Sequence, residues 1–103
     1  MNKVVLITGG AKRIGKSICE KFHKNDFSII CHYNSSDKEA NELKEKLNAI
    51  RKNSIELIKF DLNDVKNYQS FCEEALNKYG KVDVVLDDGG HTNYQQIKTF
   101  SLF

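Results

Sequence analysis

From Lys3 to Thr8 the chain is an almost unbroken apolar run, Lys-Val-Val-Leu-Ile-Thr, and it stops at Gly9-Gly10. A short run of this kind, without polar alternation, suits a strand covered on both faces, as inside a parallel sheet. The rest of the chain must then supply the covers. Ile14, Ile18 and Phe22 recur every fourth residue and predict a helix with one apolar stripe. Phe27–Tyr33 reads as a second strand. Ser36-Asp37-Lys38-Glu39 has the form of a capping box, and Ala40, Leu43, Leu47 and Ile50 follow at helical spacing. Ile55–Phe60 is a third strand; Val65, Tyr68, Cys72, Leu76 and Tyr79 form a third helical stripe stopped by Gly80; Val82–Leu86 is a fourth strand. Thr92 with Gln95 could cap a last helix carrying Ile97, Phe100 and Phe103.

Strands alternating with helices of this length form βαβ units. Right-handed crossovers, with reversal after the third strand, give the order 3-2-1-4. The expected fold is α/β: half of a Rossmann-type doubly wound parallel sheet, truncated after the fourth strand plus a terminal helix. The 103 residues leave room for a single domain, 1–103. Its fourth strand, mostly apolar and β-branched, would end as an open edge, so self-association through that edge is expected.

Sixteen Lys and Arg scattered among fourteen Asp and Glu leave a net charge of +2, which argues against nucleic acid as a partner. No apolar run approaches the ~20 residues of a membrane span. The N-terminal segment lacks a signal-peptide cleavage pattern. Cys19, Cys31 and Cys72 show neither metal spacing nor a disulfide framework, so they are expected to be structural thiols in a reducing, cytoplasmic compartment.

Thr8-Gly9-Gly10-Ala11-Lys12-Arg13-Ile14-Gly15 lies between the first strand and the first helix. Such a turn points backbone N–H groups and a helix N-terminus at one place, which suits a pyrophosphate. Gly9 would allow the tight turn, and Gly15 would let the helix press against the sheet. A NAD site wants an acid about 20 residues past the glycines, for the ribose 2′-hydroxyl. Here the second strand ends His32-Tyr33-Asn34-Ser35-Ser36, with no acid until Asp37. Hydroxyls and amides accept a 2′-phosphate, and Arg13 can supply the positive charge and planar donors that a phosphate favours. For a nicotinamide dinucleotide these residues favour NADP(H) over NAD(H). His32 and Tyr33 are expected to be partly buried strand-end residues. Ser36 can serve both as a helix cap and as a phosphate contact. Asp61 can cap the next helix, with Asn63 and Asp64 also available as caps.

Thr8-Gly9-x-x-x-Arg13-Ile14-Gly15 resembles the Thr-Gly-x-x-x-Gly-x-Gly motif of the short-chain dehydrogenases/reductases, with Arg13 at the middle glycine as in the pteridine-reductase-like branch. The similarity continues through Ser17-Ile18, Phe22-His23, His32-Tyr33-Asn34-x-Ser36 and Glu39-Ala40-Asn41-Glu42-Leu43, and reaches Gly80-Lys81-Val82-Asp83. It covers roughly residues 1–86. Ser35 departs from it, standing where the branch carries a second Arg. The resemblance implies a doubly wound fold and hydride transfer with a nicotinamide cofactor. It assigns Gly9, Lys12, Arg13, Ile14 and Gly15 to the pyrophosphate and neighbouring phosphate. Asn34, Ser35 and Ser36 fall to the 2′-phosphate, Asp61 and Leu62 to the adenine.

After the fourth strand the family has Asn-Asn-Ala-Gly or Asn-Asn-Ala-Ser, and this chain has Asp87-Asp88-Gly89-Gly90-His91. Gly89 and Gly90 would still let the backbone approach the cofactor. The segment 82–103 is more similar to the Asp-Asp-Gly-x-His stretch of certain S-adenosylmethionine-dependent methyltransferases. Asp88 and His91 are then either metal ligands or part of a solvated acidic turn. Tyr94 and Lys98 have the spacing of the family's catalytic pair but follow the fourth strand too closely, and position 81 holds Lys where a Ser is needed. No catalytic residue is therefore assigned, and no turnover is expected from the chain alone. The alternatives to a reductase portion are a non-catalytic nucleotide-binding or interaction module, and a methyltransferase-like fragment using Asp88 and His91.

Overall fold

The computed structural model describes residues 2–11 and 13–87. Strand β1 (Val4–Thr8) is followed by helix α1 (Arg13–Lys24), β2 (Ser28–Tyr33), α2 (Asp37–Ile50) and β3 (Ile55–Lys59). A 3-10 turn (Val65–Asn67) leads into α3 (Tyr68–Tyr79), and β4 (Val84–Asp87) comes last. The four strands are parallel, in the order β3-β2-β1-β4. This is the order that right-handed crossovers dictate. The last helix expected from Thr92 onward lies outside the described residues.

Every residue of β1 is buried, as a doubly covered strand requires. Its side chains alternate between two cores. Val4 and Leu6 join Ile30, Ile58, Phe71, Cys72 and Ala75 beneath α3. Val5 and Ile7 join Cys19, Ile29, Cys31, Leu43, Leu47 and Ile55 beneath α1 and α2. At the start of β4, the Asp83 carboxylate accepts from the Val4 amide at 2.8 Å while the Asp83 amide donates to the Val4 carbonyl at 2.8 Å. Lys81, 2.9 Å away, and then the Val4 amide hold the Asp83 carboxyl below the usual carboxylate range. Among the described residues β4 pairs with β1 alone and forms one edge of the sheet.

Several sequence expectations are corrected in phase. The fully buried line of α1 is Gly15, Cys19 and His23; of the expected stripe, Ile18 and Phe22 are half-buried against the same core and Ile14 is not. Ile14 is 68% exposed, because the small Gly15 is what lets the helix approach the sheet. Ile50, in the last turn of α2, and Val65, in the 3-10 turn before α3, are also exposed. Neither reaches the core. Ser36 occupies the N-cap position of α2, but its side chain makes no capping bond, so the capping box with Glu39 does not form. Ser36 instead contributes its carbonyl, which accepts from the Ala40 amide at 2.9 Å. Gly80 does end α3, at φ +83°.

All three cysteines are buried and none forms a disulfide. Burial raises the Cys72 thiol to about 11, the behaviour of a core thiol and not of a nucleophile. Among the described residues no helix is long and apolar enough to cross a membrane.

Candidate functional site

The C-terminal ends of β1, β2 and β3 converge on one edge of the domain, and the glycine turn crosses it. Gly9 has φ +65° and Arg13 has φ +53°. The second value is the left-handed conformation that a glycine adopts without strain, and it falls at the position where the motif has its middle glycine. Arg13 accepts the strain and gains an exposed guanidinium at the head of α1. The first turn of α1 contains no acidic side chain, so no carboxylate of its own competes for the helix N-terminus.

The turn is pressed onto the core at Gly10. A Cβ there would lie 3.0 Å from the sulfurs of both Cys19 and Cys31 and 3.3 Å from Ile7 Cγ2. The Cys19 thiol also lies 3.5 Å from the Gly10 carbonyl. Thr8 Oγ1 reaches toward the Leu86 carbonyl at 3.4 Å, linking the ends of β1 and β4.

His32 is the residue that sequence reasoning undervalued. It is 4% exposed, and its ring stands edge-on to Phe71 at 5.5 Å. The Gly9 amide donates to His32 Nδ1 at 3.1 Å. An accepting Nδ1 leaves the proton on Nε2, which faces the Phe60 carbonyl at 2.8 Å. The His32 carbonyl in turn accepts from the Gly10 amide at 3.0 Å. One imidazole thus ties the glycine turn to the end of β3. The partners are 23 and 28 residues away in sequence, so no local signal could have revealed them.

Asn34 and Ser35 are exposed just past β2, with Ser36 half-buried. The next acid along the chain, Asp37, is paired with Lys59 at the end of β3, 3.2 Å away. A cavity of about 240 Å³ lies between the turn and α2, lined by Ala11, Arg13, Lys16, Glu39 and Glu42. Asp61 is exposed, and its Oδ1 accepts from the Asn63 amide at 2.9 Å, a local turn. Asp64, not Asp61, caps the 3-10 turn, accepting from the Asn67 amide at 3.4 Å and its side-chain nitrogen at 2.9 Å. Leu62 turns its side chain into the core beneath α3. The structure therefore brings Gly9, Arg13, Ile14, Gly15, Asn34, Ser35, Ser36 and Asp61 to the same end of the sheet. Lys12, Gly89 and Gly90 lie outside the described residues, as do Asp88, His91, Tyr94 and Lys98. Among the described residues there is no cluster of three or more metal-ligating side chains.

Hydroxynaphthalene reductase of Aspergillus fumigatus is 30% identical over 100 residues, which are 97% of this chain and 36% of that protein. A hydroxynaphthalene reductase-like protein of Metarhizium acridum is 36% identical over 88 residues, 85% of this chain and 33% of its own. Pteridine reductase 1 of Leishmania tarentolae is 42% identical over 83 residues, 81% of this chain and 27% of its own. The chain spans about a third of the length of these relatives. The short chain dehydrogenase family profile matches residues 3–102, and so runs on through the segment after β4 where the motif departs. A likeness of that extent is not carried by the glycine turn alone, and the chain belongs to the short chain dehydrogenase family.

Proposed function

We propose that this chain is the NADP(H)-binding portion of a short-chain reductase that passes hydride to a carbonyl or pterin-type substrate. The observation that carries this reading is Arg13. It is an exposed cation in a left-handed conformation at the head of α1, beside a β2 end that carries no acid from Tyr33 to Ser36. A phosphate fits that donor set: a guanidinium, the first-turn amides of α1, and the amide and hydroxyls of Asn34, Ser35 and Ser36. Glu39 and Glu42 line the same cavity, and Arg13 with Lys16 offsets them. The ion pair with Lys59 tempers the charge of Asp37, the first acid beyond β2.

In this reading Gly9, Lys12, Arg13, Ile14 and Gly15 hold the pyrophosphate and adjacent phosphate. Asn34, Ser35 and Ser36 hold the 2′-phosphate. Asp61 takes the adenine amino group, while Leu62, its side chain buried, would contribute through its main chain. Gly89 and Gly90 are assigned to the backbone approach beside the cofactor. When bound, the reduced nicotinamide supplies the hydride. The chain's own residues bind and orient it. The relatives named above are reductases by name, acting on hydroxynaphthalenes or pteridines, which supports a cyclic substrate.

Calorimetric titration of the chain with NADPH and with NADH tests the assignment. A preference for NADPH of roughly tenfold or more is expected, the lower end of what a hydrogen bond to a charged group contributes. Equal affinities, or tighter NADH binding, would overturn it.

A further inference from the structure

We infer that His32 is a positioning residue for the nucleotide site, holding the glycine turn in shape through its Nε2–H tautomer. The inference deepens the nucleotide reading above and rests on it. Gly9, at φ +65°, directs its amide inward to His32 Nδ1, 3.1 Å away. The opposite nitrogen meets the carbonyl of Phe60, the residue just before Asp61 and Leu62. His32 therefore joins the two segments that would hold opposite ends of the dinucleotide's adenosine half, the turn under the pyrophosphate and the loop beside the adenine. It holds both segments from beneath, being only 4% exposed. A core-filling aromatic of similar size would pack against Phe71 equally well, and would leave both the Gly9 amide and the Phe60 carbonyl without this partner. The polar atoms, not the volume, are what the position requires.

Two substitutions divide the imidazole's roles. His32→Asn places a side-chain oxygen near the Nδ1 position and keeps an acceptor for the Gly9 amide. His32→Gln reaches the Nε2 position and keeps a donor for the Phe60 carbonyl. NADPH affinity by calorimetry and thermal unfolding temperature are measured for the full chain and both variants. The 15N-labelled wild-type protein is examined by NMR for a through-hydrogen-bond coupling between the Gly9 amide nitrogen and His32 Nδ1.

The coupling should be present without ligand. His32→Asn should bind NADPH within about twofold of wild type, while His32→Gln binds about three- to tenfold more weakly, the range for one neutral hydrogen bond. That ordering should hold even where the two unfold at similar temperatures. A protonated Nδ1 with no coupling would overturn the inference, as would two variants whose affinities fall in step with their stabilities. A wild-type chain that shows the coupling but takes up neither NADPH nor NADH would overturn the nucleotide reading itself, and this inference with it.

Discussion

Each end of the sheet carries a buried histidine, and the two are held in opposite ways. At the end where the strands begin, His23 Nε2 lies 2.7 Å from Ser54 Oγ within a network of side chains. Asn48 Oδ1 accepts from the Ser54 and Ile55 amides at 2.9 and 3.1 Å, and Arg51 donates to the carbonyls of His23 and Phe27. At the end where the strands finish, the His32 imidazole bridges two backbone segments, the Gly9 amide and the Phe60 carbonyl, and Asn34 and Ser35 just beyond it are exposed. The first arrangement spends several side chains on closing the α1–β2 and α2–β3 corners. The second leaves the side chains of Arg13, Asn34 and Ser35 exposed. Strand ends that look alike in sequence are thus built differently, one closed by a side-chain network and the other the end where we propose the nucleotide binds.

The sharpest way to break the comparison is at Asn48. Asn48→Ala leaves two amides of buried residues without their acceptor and should cost about 3 kcal/mol of stability. Nucleotide affinity should stay within about twofold, judged by denaturant unfolding and calorimetry together. A loss of affinity matching the loss of stability would mean that the two ends are not independent.

Arg13→Gly should produce the inverse result. Relieving a left-handed non-glycine residue should gain about 1 kcal/mol of stability. Removing the guanidinium should weaken NADPH binding by about 1.5–3 kcal/mol and NADH binding much less. A variant that loses stability would show that the Arg13 side chain serves the fold.

Acid should act first at the His23 end. Burial, and then the nearby Arg51 guanidinium, hold His23 below the ordinary imidazole value, against smaller opposing effects of the Leu47 carbonyl and Asp26. The folded chain therefore resists a proton that the unfolded chain accepts near pH 6.5. Stability should be full above that pH and fall as pH drops through the folded value. The carboxylates of Glu20 and Asp83, lowered by Lys46 and Lys81, give way only at more acid pH. Denaturant midpoints measured from about pH 7.5 to 5 should show the decline, and His23→Gln should flatten it.

How much of this was legible in the sequence depends on how local each signal was. The strand order followed from the alternation of apolar runs with helical stripes, and Gly80 marked a helix end by itself. The glycine turn was legible because its residues are contiguous. The phase of α1 was not, since Ile14 is the more apolar residue while Gly15 is the one small enough to face the sheet. The Ser36 box was misread because its spacing is right while the side chain does not turn toward the helix. His32 looked like filler because its partners belong to other strands.

The smallest expected effect concerns the edge of β4. It pairs with β1 alone among the described residues, and Val84, Val85 and Leu86 are only half-buried. Weak self-association through this edge is our expectation. Light scattering should show mass rising with concentration, and Val84→Lys should suppress the rise. A mass that does not change with concentration would contradict it.

The central claim is that the dinucleotide binds at the end of the sheet where the strands finish. An amide NMR titration of the full chain with NADPH tests it most directly. The account predicts saturable shifts at Gly9, Ile14, Gly15, Ser35 and Ser36, with Asn48, Arg51 and Ser54 unmoved. Shifts centred on the His23–Ser54 end, or none at any concentration of NADPH, would contradict it.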